Sequence, residues 1–269
     1  MPWISVIAVF ACPIIAFFVR DNPYLLTITA TVWGISLTNS VERTRHLDRN
    51  LFWSVVKAST IYRRRLIRIS FAYLIAIESN NKYLLVRGRR IPTQFQPVGG
   101  VFKTDLTMEE RRLRFNAIED SRFPADEDLS TDLRMAIPGK ELSGLLKWFR
   151  KGIEREILPL REFYEELVAA EHLDAQNFRY IDCERIGERS FPLRVDIASG
   201  MPQLILAEIW RLRPTPGQAA ELAAIRNPRT PKSTLMAERT QLEGLRTSQR
   251  PANYEIAPTA KWLLATRRH

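Results

Sequence analysis

Hydrophobic positions fall into two regimes along the chain. Up to residue 41 they run almost unbroken. Residues 2–19 (PWISVIAVFACPIIAFFV) and 24–41 (YLLTITATVWGISLTNSV) are separated only by Arg20-Asp21-Asn22-Pro23. At about 1.5 Å rise per residue each run reaches roughly 27 Å, near the lower limit for crossing a hydrocarbon core. The pattern predicts a two-helix transmembrane hairpin over residues 1–41, with spans at 2–19 and 24–41 and a tight turn at Pro23. Met1-Pro2-Trp3 lacks the basic n-region of a signal peptide.

After residue 41 the apolar positions become periodic. Residues 42–68 read as a basic, helical connector. Residues 69–77 (ISFAYLIAI) and 82–86 (KYLLV) read as two strands joined by a turn at Glu78-Ser79-Asn80-Asn81. Residues 105–114 look helical and 121–131 looped. Leu145, Leu146, Phe149, Ile153 and Ile157 predict one apolar face on a helix over 142–157. Pro159 suits a helix start, and Leu160, Phe163, Leu167 and Val168 then form one core-facing stripe. Further strands are predicted at 178–183 and 204–212, a short helix at 217–226, an irregular stretch at 227–250 and a last apolar helix at 260–265. No internal repeat is visible. Strands interleaved with helices point to an α+β domain around one mixed sheet.

Charge adds an orientation and a class of partner. Arg43, Arg45, Arg49, Lys57, Arg63, Arg64, Arg65 and Arg68 follow the second apolar run, and by the positive-inside rule this flank stays cytoplasmic. Both termini are then cytoplasmic in a multi-pass inner-membrane protein. The net charge of +10 implies an anionic partner, which lipid headgroups or a nucleotide could satisfy. Two cysteines are too few for a thiolate metal cluster and fit a reducing compartment.

The chemistry concentrates on the helix after Pro159. Glu162, Glu165 and Glu166 fall at i, i+3 and i+4, opposite the apolar stripe. Like charges at this spacing repel. A hard divalent cation such as Mg²⁺ would relieve the repulsion and could bridge to a pyrophosphate. A solvated acidic face balanced by Arg161 explains the same residues, and both readings stand at this point.

Arg161-Glu162-Phe163-Tyr164-Glu165-Glu166-Leu167 resembles the core of the Nudix box, and Gln96-Pro97-Val98-Gly99-Gly100 resembles the strand end and glycine that open it. The resemblance implies an α/β/α sandwich in which Glu162, Glu165 and Glu166 are candidates for metal ligands and catalytic base. The box is split here. Gly100 and Arg161 stand 61 positions apart (161 − 100), and Ile153 occupies the place of the box's earlier glutamate, with Glu154 and Glu156 flanking it. Asp132-Leu133-Arg134, Trp148-Phe149, Arg155-Glu156 and 161–167 together resemble the SMODS-associated NUDIX domain. That family implies a two-transmembrane effector of cyclic-oligonucleotide-based antiphage signalling (CBASS). Its NUDIX-like domain (69–269, with an insertion at about 101–150) senses a cyclic oligonucleotide, and assembled hairpins disrupt the inner membrane. Implied partners are the cyclic oligonucleotide, with Arg161 a candidate contact, the lipid bilayer and further copies of the chain, with no nucleic-acid polymer. No cofactor is required for this role. The alternative is a membrane-tethered, Mg²⁺-dependent Nudix pyrophosphohydrolase acting on nucleoside diphosphate-linked substrates.

Overall fold

The computed structural model describes residues 49–88, 91–120, 131–196, 199–225, 233–244 and 254–264. The chain divides into two units, Met1–Phe52 and Trp53–His269. Of the first, only residues 49–52 are described, at the start of a helix. The second contains every other described element.

Helix α1 (Arg49–Thr60) closes the connector. Strand β1 (Leu66–Ala76) is buried along nearly its whole length, as its unbroken apolar run requires of a central strand. A short β2 (Glu78–Ser79) and β3 (Lys82–Arg87) form a hairpin whose turn residues Asn80 and Asn81 both adopt positive φ, which asparagine tolerates better than most side chains. Strand β4 (Gln94–Pro97) leads to the glycine pair. Helix α2 (Met108–Phe115) starts on a Thr107–Glu110 capping box and stops at Asn116 in the left-handed region. Strand β5 (Arg134–Pro138) and helix α3 (Leu142–Lys151) follow, then α4 (Leu160–Phe163), which continues as a π-helical turn over Tyr164–Val168. Strands β6 (Asp182–Val195) and β7 (Pro202–Arg213), helix α5 (Pro216–Ala224), strand β8 (Thr234–Glu238), helix α6 (Arg239–Leu242), strand β9 (Glu255–Ile256) and a 3₁₀ segment (Pro258–Leu264) complete the order.

Two sheets result. The larger by strand length has four strands in the order β5-β1-β7-β6, with β1 and β7 parallel and both outer pairs antiparallel. The smaller has five short strands, β2-β3-β4-β9 with β8 also on β3. Leu74, Ala76, Ala207 and Ile209 of the large sheet share a buried core with Leu85, Phe95, Leu235 and Trp262. Phe71, Phe102 and Phe149 form a second aromatic core: Phe71 and Phe149 stack at 4.1 Å, and Phe102 meets Phe149 edge-on at 5.4 Å. The insertion is therefore built into the domain, since β5 forms the edge of the large sheet and α3 supplies Phe149.

The fold class expected from sequence requires correction in its membrane part. The spans expected at 2–19 and 24–41 lie outside the described residues. Among the described residues no helix is long and apolar enough to cross a membrane. The longest, α1, has 12 residues and carries Arg49 and Lys57. It rises about 18 Å, well short of a hydrocarbon core of about 30 Å. What the structure supports is a mixed-sheet α/β domain. A multi-pass placement in an inner membrane has no support in it.

Smaller differences have local causes. The helix expected over 142–157 ends at Lys151, because Gly152 takes a left-handed cap and Glu154 a positive φ. Ile153 and Ile157 are consequently exposed rather than on a buried face. Strand β6 begins four residues later than expected and runs far longer, and β8 and α6 occupy part of the stretch expected to be irregular.

Candidate functional site

The two halves of the split box meet in space. Gly99 N–H donates to Glu166 Oε2 at 3.2 Å. Gly100 lies so close to Glu162 that an added Cβ would overlap its carboxylate. Arg161 ties the halves further: its Nη2 donates to Val101 O at 3.0 Å, while its Nη1 donates to Glu162 Oε1 at 2.7 Å. The excursion between Gly100 and Arg161 is thus closed at its base by hydrogen bonds between its two ends.

The acid facing Arg161 from the preceding loop is Glu156. Its Oε1 is 3.6 Å from Arg161 Nε, and its Oε2 accepts from Lys103 N at 3.2 Å. Glu156 N–H also donates to Lys103 O at 2.9 Å, so this loop pairs like a strand with the chain leaving the glycines. Glu154, the other flanking acid, turns away to Arg114, with contacts of 2.5 and 2.9 Å, and to Trp148 Nε1 at 3.1 Å. Arg155 between them is buried: its guanidinium lies 3.9 Å over Phe149 and 4.7 Å over Phe102 and donates to Phe149 O, Glu156 O and Glu208.

Burial sets the proton affinities here. The Glu156 carboxyl is pushed above the usual carboxylate range by burial, against Lys103 N–H and Arg161, which favour its charge. Asp132, which the Lys103–Asp132 bridge brings beside the same strand, is raised for the same reason, opposed by Arg134, Arg161 and Lys103. The Tyr73 hydroxyl accepts from Glu162 N at 3.4 Å and is raised first by burial and then by Glu156. Burial works against the Arg161 charge, but Tyr73, Glu162 and Glu156 together hold it above its ordinary value. The result is a half-buried cluster in which Arg161 stands at the centre of Glu156, Glu162 and Glu165.

The three box glutamates do not converge. Glu162 is paired with Arg161, Glu166 is buried against the Gly99 amide, and Glu165 is exposed with an oxygen 3.6 Å from Arg161 Nη1. Among the described residues no group of three or more His, Cys, Asp or Glu side chains is arranged to hold a metal ion. The donor set as placed therefore does not fit Mg²⁺, which needs several oxygens in near-octahedral geometry. Arg161 draws Glu162 and Glu165 to its guanidinium, while the Gly99 amide holds Glu166.

The model of the SMODS-associated NUDIX domain matches residues 66–264. The chain belongs to this family. Among curated proteins and among solved structures, nothing matches it.

The SMODS-associated NUDIX match begins at the first residue of β1 and ends with the 3₁₀ segment, so it spans both sheets and the insertion. Of the residues singled out from sequence, Arg161, Glu162 and Glu166 come together around the glycines, and Glu165 stays at the rim. Tyr73, Glu208 and the pairing role of Glu156 were missed. A lone carboxylate in the apolar run Leu206-Ala207-Glu208-Ile209-Trp210 and a lone hydroxyl in Phe71-Ala72-Tyr73-Leu74 were the available signals. A polar group inside a buried strand must find a partner there.

Proposed function

We propose that this SMODS-associated NUDIX domain is the sensing part of a defence-signalling effector, and that it binds a cyclic oligonucleotide without consuming it. The observation that carries the reading is the closure of the box on itself: Arg161 takes Glu162 and Val101 O, and Glu166 takes the Gly99 amide. Carboxylates held this way stabilise the floor of a binding site instead of positioning a metal. The net charge of +10 favours an anionic ligand. The test is calorimetric titration of the full chain with a panel of cyclic di- and trinucleotides, followed by chromatography of the recovered ligand. Binding with the ligand returned intact is expected.

One observation favours a second reading, a Mg²⁺-dependent pyrophosphohydrolase: Gly100 and Glu162 are brought into contact despite the insertion between them. Mg²⁺-dependent turnover on the order of 1 per second or faster would replace the sensing reading with this one.

A further inference from the structure

A seam of charge crosses one face of β6 and β7, beside the box helix: Glu208 is the register partner of Tyr73, whose hydroxyl meets Glu162 N–H. Glu188 and Glu208 are register partners on these strands, an arrangement of like charges that is unfavourable by itself. Three guanidiniums answer the two carboxylates. Arg155 Nη2 lies 3.4 Å from Glu208 Oε1, and Arg185 Nε lies 3.4 Å from Glu208 Oε2. Arg185 Nη2 lies 3.5 Å from Glu188 Oε2, and Arg150 Nη2 lies 2.9 Å from Glu188 Oε1. The seam carries one more positive charge than negative.

The three arginines differ in freedom. The Arg155 side chain is 6% exposed and stacked on Phe149, so it is committed to the core. Arg185 and Arg150 are 45% and 46% exposed, and both Arg185 contacts are long. A guanidinium in that position can turn a donor fork outward at little cost. The register partner of Arg185 is Trp210, so the two side chains leave the same face. Trp210 is only 8% exposed, yet its indole N–H has no hydrogen-bond partner. A buried donor left unmatched costs free energy, and an acceptor admitted by a turn of the half-exposed Arg185 side chain beside it would recover that cost.

We infer that Arg185, Arg150 and Trp210 form the subsite for a phosphate of the nucleotide ligand, an assignment that rests on the sensing function proposed above. Arg185 and Arg150 offer the forked donors that match phosphate oxygens, and the Trp210 indole supplies the donor that the protein leaves unused. Glu188 and Glu208 hold the two guanidiniums in place and keep Arg185 oriented toward the subsite.

The test is calorimetric titration of the full chain with inorganic pyrophosphate, cyclic di-AMP and cyclic tri-AMP, comparing wild type with R185Q, R150Q, W210F and R239Q. For each probe that wild type binds, R185Q should weaken binding about tenfold or more, and R150Q and W210F about threefold or more. W210F keeps the ring and loses the N–H, so its melting temperature should stay near that of wild type. R239Q removes the same charge from the exposed Arg239–Glu243 pair on α6 and should leave binding unchanged. Wild-type affinity in R185Q and W210F, or an equal loss in R239Q, overturns the subsite and leaves the sensing function standing. Failure of wild type to bind any of the three probes overturns both.

Discussion

At the scale of single residues, the box glutamates have separate jobs. Glu166 is buried and accepts from the Gly99 amide, whereas Glu165 is exposed beside Arg161. E166A should therefore destabilise the domain by roughly 1.5–3 kcal/mol, the usual worth of a hydrogen bond to a charged group. E165A should stay within about 0.5 kcal/mol of wild type, as surface changes do. Denaturant melts of both variants check this, and equal effects would contradict the division of roles. Glu156 makes a second, pH-dependent case. Burial raises its pKa in the folded state, so the folded protein holds this proton more tightly than the unfolded chain. Its contribution to stability is full below the unfolded value of about 4.3 and is lost as pH rises through the raised folded value. E156Q cannot titrate. The stability of wild type relative to E156Q should fall as pH rises above the unfolded value of about 4.3, measured by melts at a series of pH values; a rising difference would mean that Arg161, not burial, dominates.

At the scale of elements, the glycine turn and the box helix form one unit. Gly99 has φ +148°, and a Cβ there would overlap Tyr73 O, which is backbone and cannot move aside. A Cβ on Gly100 would meet the Glu162 side chain, which can rotate away at the expense of its bond to Arg161. G99A should cost at least about 2 kcal/mol, from backbone strain and overlap together, and G100A clearly less. Thermal unfolding of the two variants orders them. The insertion behaves as an element in its own right: β5 lengthens the large sheet, and α2 holds the loop before the box helix through Arg114–Glu154. Chain length between two motif halves is therefore a poor guide to their distance. A long excursion that packs well returns its ends to the starting point at little more entropic cost than a short one.

At the scale of the whole molecule, the excess of ten positive charges sets how ligand binding responds to salt. The Debye length falls from about 10 Å at 0.1 M ionic strength to about 3 Å at 1 M. Affinity for a cyclic oligonucleotide should drop about tenfold or more between roughly 50 and 500 mM NaCl, read by titration at each concentration. An affinity indifferent to salt would remove the electrostatic part of the proposal. The tertiary arrangement gives that charge a direction: the seam on β6 and β7 keeps one guanidinium in excess, while the box cluster sets the single guanidinium of Arg161 against Glu156, Glu162 and Glu165.

Periodicity and punctuation in the sequence determined β1, β3 and β7 to within a few residues, and the starts of α2, α5 and the box helix, because these depend on local rules of alternation, capping and proline placement. The family was legible for the same reason, since its motifs are short runs. Only the tertiary structure decided which acid faces Arg161, that Glu166 turns inward to the Gly99 amide, and that β5 and β8 complete the two sheets. Each of these depends on a partner tens of residues away. It also decided the standing of Tyr73, Glu208 and Trp210, whose polar atoms look incidental in an apolar run. Burial alone turns such an atom into a commitment, because out of water it must be paired or remain a cost.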